Sequence, residues 1–223
     1  LLEAIYILSI GKSFKTHKQK NIIKKGQSNF IIKGNFLSKG LKNKVAIQAN
    51  QGSAKIIKIN GKTTNKRKDL IGKNNVVILS PEDQTITKGG PGERRLFFDR
   101  LFSIINKDYL NTLQNFNRAL KQRNALLNGK TNFKKEYFFP WEEKLSIYAI
   151  KLWKFRKKCF VDYINSLSKV VSKYQKELKL TVFYNEKSYK KSEYEKLLEK
   201  TRDKDSILGS TTKGPHRDNI DIL

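Results

Sequence analysis

Val76-Val77-Ile78-Leu79-Ser80-Pro81-Glu82-Asp83-Gln84-Thr85-Ile86-Thr87-Lys88-Gly89-Gly90-Pro91-Gly92-Glu93-Arg94-Arg95-Leu96-Phe97-Phe98-Asp99 is the stretch on which the fold turns. Val76 to Leu79, β-branched or leucine throughout, predict a strand over 75–79. Ser80-Pro81-Glu82-Asp83 reads as a helix start: serine caps, proline suits the first helical position, and two acids suit the positive end of the dipole. Lys88-Gly89-Gly90 closes that short helix and Pro91 opens a longer one. Arg94 and Arg95 fall in its first turn or so, where the dipole disfavours cations. Either something anionic meets them, or they are solvated and paired with Glu93 and Asp99.

Upstream, the pattern is β. Phe30 to Leu37, Val45 to Ile47 and Ile56 to Ile59 read as antiparallel strands, and Asn60-Gly61 is a hairpin turn signal. A short helix is expected at Asp69 to Gly72. Residues 1–10 read as a buried apolar helix. Gly11-Lys12-Ser13 imitates the end of a phosphate loop, but Tyr6 stands where the first glycine of that motif belongs and no strand precedes it.

Downstream, the pattern is helical. Leu110, Leu113, Phe116, Leu120 and Leu127 recur at helical spacing over 108–128, with Asn124 interrupting the stripe. Trp141, Leu145, Tyr148, Leu152, Phe155, Cys159, Tyr163, Leu167, Val170 and Tyr174 predict a second long helix with a seam at close to 3.5 spacing. Two long helices joined by a loop are expected to pack as an antiparallel pair. Cys159, on the seam, reads as a small core residue. Residues 178–184 alternate as a strand, 188–202 form a charged helix, and a loop at 209–218 precedes a last strand. In that loop His216, Arg217 and Asp218 supply a switchable donor, a fork and an acceptor. The expectation is a loop anchor in which Asp218 holds Arg217 or His216.

The net charge of +27 favours a polyanionic partner. Lysine is so common here that it is also a default surface residue, so the nine arginines say more. Arginine offers a planar fork for phosphate or carboxylate. Lys154, Arg156, Lys157 and Lys158, with Lys121, Arg123, Lys134 and Lys135, are expected either to line a phosphate-binding surface or to be a solvated face. No apolar run approaches a membrane span, the apolar start, Leu1 to Ile10, is not expected to be a signal peptide, and the single cysteine excludes an internal disulfide. The chain has no methionine, opens on an uncapped apolar helix and stops on a strand pattern, which together suggest a piece of a longer protein.

Four blocks resemble RecF, a bacterial DNA replication and repair ATPase of the SMC/ABC type, and they do so in order. They are Leu1 to Thr16, Val76 to Arg100, Arg118 to Leu127 and Gly214-Pro215-His216-Arg217-Asp218. The resemblance implies a mixed α/β fold: an incomplete ABC/SMC-type P-loop ATPase head with an antiparallel β-subsheet and a helical second lobe containing a long antiparallel helix pair. It divides the chain into 1–90, the remainder of the ATPase lobe; 91–209, the helical lobe; and 210–223, a return loop and strand.

It also implies the roles. Lys12, Lys15, Glu82 and Asp83 are expected near nucleotide, with lysine at 15 where RecF usually has arginine. Arg94, Arg95, Arg118, Lys121 and Arg123 are expected at DNA, and Gly214, Pro215, His216, Arg217 and Asp218 in a structural loop. RecF-like proteins bind ATP with Mg2+, dimerise around it, bind gapped DNA and duplex junctions, and help RecO and RecR load RecA in the bacterial cytoplasm. The 223 residues contain no Walker A, signature or Walker B motif. The polypeptide alone is therefore expected neither to bind ATP tightly nor to hydrolyse it. The alternatives are a non-enzymatic basic nucleic-acid-binding protein and, fitting 141–175 only, a coiled-coil adaptor.

Overall fold

The computed structural model describes residues 1–38, 40–78, 85–129, 134–175, 177, 182–185, 187 and 189–222. They form two compact units, Leu1–Leu79 and Ser80–Leu223.

The first unit packs one helix on an antiparallel sheet. Helix α1 (Leu2–Ile10) ends at Gly11, whose φ of 79° is one that residues with side chains rarely adopt and whose N–H returns to the Ile7 carbonyl at 2.7 Å. Strands β1 (Asn29–Ser38), β2 (Leu41–Asn50), β3 (Ile56–Ile59) and β4 (Lys62–Thr64) follow one another in sequence order across the sheet. Alternation puts Val45, Ile47 and Ile57 on the inner face, where they close a core with Ile7, Leu8 and Leu70. Gly34 is needed for that approach: a Cβ there would lie 2.6 Å from Leu8 Cδ1. The Asn60-Gly61 turn has φ of 49° and 84°, as a two-residue hairpin requires.

Two expectations fail here. The helical turn foreseen at Asp69 to Gly72 comes earlier, as a single 3-10 turn at Arg67–Asp69. Residues 75–78 are not a strand, and Val77 is 92% exposed. A β-branched run becomes a strand only beside a neighbour that takes its hydrogen bonds, and none among the described residues does so. Ser80-Pro81-Glu82-Asp83 lies outside the described residues.

The second unit is mainly helical. Helix α2 (Thr85–Lys88) leads to α3 (Pro91–Ile105), which carries proline at its first position. Asn106 ends α3 and caps α4 (Lys107–Leu127), its Oδ1 accepting from the N–H groups of Asp108 and Tyr109 at 2.9 and 3.0 Å. Helix α5 (Phe139–Tyr174) runs antiparallel to α4. Arg123 meets Glu142, and fourteen residues back along α4, fourteen forward along α5, Tyr109 meets Arg156. Strand β5 (Val182–Tyr184) pairs antiparallel with β6 (Ile220–Ile222). Between them lie α6 (Lys191–Lys200) and α7 (Arg202–Ile207). The fold is thus mixed α/β, with an antiparallel sheet and a long antiparallel helix pair.

The core of this unit is aromatic: Phe98 and Phe102 of α3, Tyr109 and Phe116 of α4, Trp153 and Phe160 of α5, and Tyr194 of α6. The α5 seam holds for Leu145, Leu152 and Cys159, all buried, and fails toward its end, where Val170 is 53% and Tyr174 87% exposed. At 36 residues α5 is far longer than the 21-residue α4, and its C-terminal part outruns that partner. The buried stripe is also wider than a 3.5-residue seam, taking in Ala149, Trp153, Arg156 and Phe160.

Candidate functional site

The 209–218 loop is clasped by two buried ion clusters. Each forms because the chain places an arginine on the inner face of a long helix, where the guanidinium must find every partner inside the protein.

The first cluster centres on Arg156 of α5, 2% exposed. Its Nη1 donates to Asp218 Oδ2 at 2.9 Å and to the Pro215 carbonyl at 2.6 Å; its Nη2 donates to both Asp99 oxygens at 2.9 and 3.1 Å; its Nε donates to Tyr109 Oη at 3.2 Å. Asp218 also accepts from Trp153 Nε1 at 3.0 Å and from Tyr184 Oη at 2.7 Å. Burial pushes the Asp218 carboxyl up, against the pull of Arg156. Burial also disfavours charge on Arg156, but Asp99, with Tyr109, Tyr184 and Asp218, more than offsets it and holds Arg156 charged. Asp218 was expected to hold Arg217 or His216 and instead holds Arg156, while Arg217 is exposed and its side chain reaches, among the described residues, the Thr211 carbonyl at 3.4 Å and Ser210 Oγ at 3.5 Å.

The second cluster centres on Arg123 of α4, 0% exposed. It donates to Glu142 at 3.1 Å, Asp205 at 2.7 Å, Thr211 Oγ1 at 2.8 Å and the Leu198 carbonyl at 2.9 Å. Arg202 shares Glu142, and Asp205 accepts from the N–H and hydroxyl of Thr212. Asn124 interrupts the α4 stripe because its Oδ1 accepts from the N–H and hydroxyl of Thr211 at 2.9 and 2.7 Å.

Between the clusters the loop has a constrained shape. Gly214 sits at φ 139°, and a Cβ there would lie 2.5 Å from Tyr194 Oη. His216 Nε2 bonds the Thr211 carbonyl at 2.8 Å and its ring lies 5.8 Å from that of Phe116. Its Nδ1 is buried without a partner among the described residues. Burial brings its pKa down to about 4; the Thr211 contact opposes the fall, and the nearby Arg217, Arg95 and Arg156 add to it. At neutral pH the ring is uncharged.

The arginines at the start of α3 bind carbonyls. Arg94 donates to the Ile220 carbonyl at 2.5 Å and that of Gly89 at 2.8 Å; Arg95 donates to the Asp218 carbonyl at 2.6 Å. Burial, then Arg156, lower the Arg95 pKa. Of the residues expected at DNA, Arg118 and Lys121 are exposed. Arg123 is corrected: no phosphate reaches a guanidinium with all three nitrogens engaged and no exposed surface. Arg156, foreseen on the open face of α5, is corrected for the same reason.

In the first unit, Lys15 is exposed and Lys12 half-buried; Glu82 and Asp83 lie outside the described residues. The Gly11-Lys12-Ser13 turn does not fit a phosphate. It follows the carbonyl end of α1, where Lys55 Nζ donates to the Gly11 carbonyl at 3.0 Å, and a phosphate needs the opposite, N–H end of a helix. Ser13 Oγ donates to Glu3 and accepts from the N–H of Lys15 at 2.9 Å. Among the described residues no group of three or more His, Cys, Asp or Glu could hold a metal, and no helix is long and apolar enough to cross a membrane.

No protein-family model matches the sequence. Curated relatives match all of it: the DNA replication and repair protein RecF of Clostridium botulinum (Type A) is 33% identical over 228 residues, and those of Lachnospira eligens and Clostridium acetobutylicum are each 32% identical. Two solved structures of the recombination mediator protein RecF in the RecFOR pathway, RecF-ATPrS and RecF-ATP, superpose with TM-scores of 0.89 and 0.88 at 29% identity, over 100% of this chain. Along its whole length this chain is similar to these RecF proteins. It spans about 62% of the curated relatives and 63% and 62% of the solved RecF chains.

Three of the four RecF-like blocks converge in the second unit. Asp99 of one and Asp218 of another meet on Arg156, while Arg123 of the third binds Thr211 of the loop that carries Asp218. Of the residues that join the blocks, Glu142 and Asp205 escaped sequence reading, and Arg156 was assigned to the wrong face of its helix. On a lysine-rich helix an inward-facing arginine looks like its neighbours. The available signal was phase: Arg156 is four residues on from Leu152 and three from Trp153, which places it on the buried side.

Proposed function

We propose that the chain is part of a DNA replication and repair protein that binds gapped DNA and duplex junctions in an ATP-dependent manner and helps RecO and RecR load RecA. In this reading the longer protein dimerises around ATP and Mg2+ in a bacterial cytoplasm. The observation that carries the proposal is the whole-length match to RecF, with three of its four motif blocks meeting in one buried clasp. The clasp fixes the return loop onto the helix pair, and the exposed lysines offer positive charge to DNA phosphates. The polypeptide of 223 residues itself is proposed to bind DNA without hydrolysing ATP.

The test is DNA affinity across a salt series, for gapped, single-stranded and plain duplex DNA, with and without MgATP. Preference for the gapped substrate supports the reading. The charge of +27 favours a second reading, a basic protein that binds any nucleic acid. Equal affinity for all three substrates would favour that one. A metal-dependent ATPase rate in pure protein would refute the absence of catalysis.

A further inference from the structure

We propose that the groove between α4 and α5 is a binding site for a single strand of nucleic acid. The proposal rests on the DNA-binding reading and specifies where the unpaired strand lies. The groove has a volume of about 610 Å³. Its α5 wall carries Lys151, Lys154 and Lys158, all exposed, on one face of the helix. Successive turns carry them along roughly 10 Å. From Lys144 to Lys158 the sequence has no acid, so nothing within this stretch of α5 offsets the three lysines. None of the three has an ion-pair partner among the described residues.

Tyr148 and Phe155, half-buried, form the floor one helical face away from the lysines. The α4 wall supplies the amide of Asn115 and that of Asn111, and exposed Arg118 continues the same face. Asp108, at one end, is the only acid of the lining. Cations along one rim, aromatic surface in the floor and amides along the other rim match a phosphodiester backbone, a base face and a base edge in turn. The faces of unpaired bases can stack on the aromatic floor, whereas in a duplex each face is covered by its neighbours, so the groove favours a single strand. An acidic peptide would use the lysines and leave the aromatic floor without a complementary group.

The experiment compares this polypeptide with its Lys151→Gln/Lys154→Gln/Lys158→Gln variant, binding labelled single-stranded and duplex DNA between 50 and 200 mM salt. Three lost phosphate contacts should flatten the salt slope for single strands by about 2, so the advantage of the unaltered chain falls roughly 20-fold across that range. Duplex binding should change far less. A second triple variant, Lys33→Gln/Lys44→Gln/Lys58→Gln on the β-sheet, removes equal charge elsewhere and should leave the single-strand slope in place. Equal losses in both variants, an unchanged slope, or equal losses for duplex and single strand would overturn the groove. So would poly-glutamate binding that depends on the same lysines and is as tight as single-strand binding. If the unaltered chain bound no nucleic acid at the lowest salt, the DNA-binding reading itself would fall.

Discussion

Arg156 shows how much one side chain decides here. It is the common partner of Asp99 and Asp218, so Arg156→Met leaves two carboxylates without their cation, one of them fully buried. Breaking such a pair from one side costs about 3–5 kcal/mol, and we expect a loss of that order in urea unfolding. Adding Asp218→Asn should cost less than the two single losses together, because they share one interaction. His216 makes the fold sensitive to acid. Its pKa of about 4 in the folded state lies below the 6.5 of a free histidine, so above 6.5 both states are neutral and stability is unaffected. Between 6.5 and about 4 the unfolded chain takes up a proton that the folded chain refuses, and stability falls with pH, by up to about 3 kcal/mol. His216→Gln should flatten that part of the stability–pH curve. At Gly214 an added methyl meets the Tyr194 hydroxyl in a backbone conformation that favours glycine. Gly214→Ala should therefore lower the melting temperature, and less so in a Tyr194→Phe background.

At the scale of elements, α5 separates what sequence can and cannot reveal. Leu152 and Val170 occupy equivalent positions on the predicted seam, yet one is buried and the other half in water. Leu152→Ala should cost about 2–5 kcal/mol and Val170→Ala less than about 0.5, a contrast that denaturant midpoints would resolve. Helix α1 was expected from its apolar run as a buried helix, and only its end, Ile7 to Ile10, is buried. Periodicity located β1 to β3, α4 and α5 because each buries one face regularly. It could not tell where α5 runs past its partner, since that depends on the length of α4. The strand foreseen at 75–79 shows the same limit: residue type marks β propensity, but hydrogen-bonded neighbours decide. In the candidate site, Gly214 to Asp218 was legible as an anchored loop. The identity of the anchor was not, because Asp218 and Arg156 are brought together only by the fold.

The whole molecule carries two kinds of cation: lysines, most of them at the surface, and arginines, of which Arg123 and Arg156 are buried while Arg118 and Arg217 are exposed. Arg123 and Arg156 neutralise buried acids, and the lysines remain outside. Substituting exposed lysines should therefore change DNA affinity and its salt dependence with little effect on stability. Substituting the buried arginines should do the reverse. Measuring both quantities on Lys154→Gln and Arg123→Met would separate the two classes. MgATP should leave the DNA affinity of this polypeptide unchanged, and an anisotropy titration would register any departure.

The clasp also bears on the order in which the second unit assembles. The helix pair joins residues close in sequence, Arg123 to Glu142 across 19 positions, whereas the contacts of Arg123 with Asp205 and Thr211 span 82 and 88, and that of Arg156 with Asp218 spans 62. Short loops close sooner than long ones. The hairpin of α4 and α5 is therefore expected to form before the loop docks, with the clasp absent from the transition state. Substitutions at Asp218 or Thr211 should then accelerate unfolding and leave the refolding rate nearly unchanged, and the two arms of a chevron plot would record this directly.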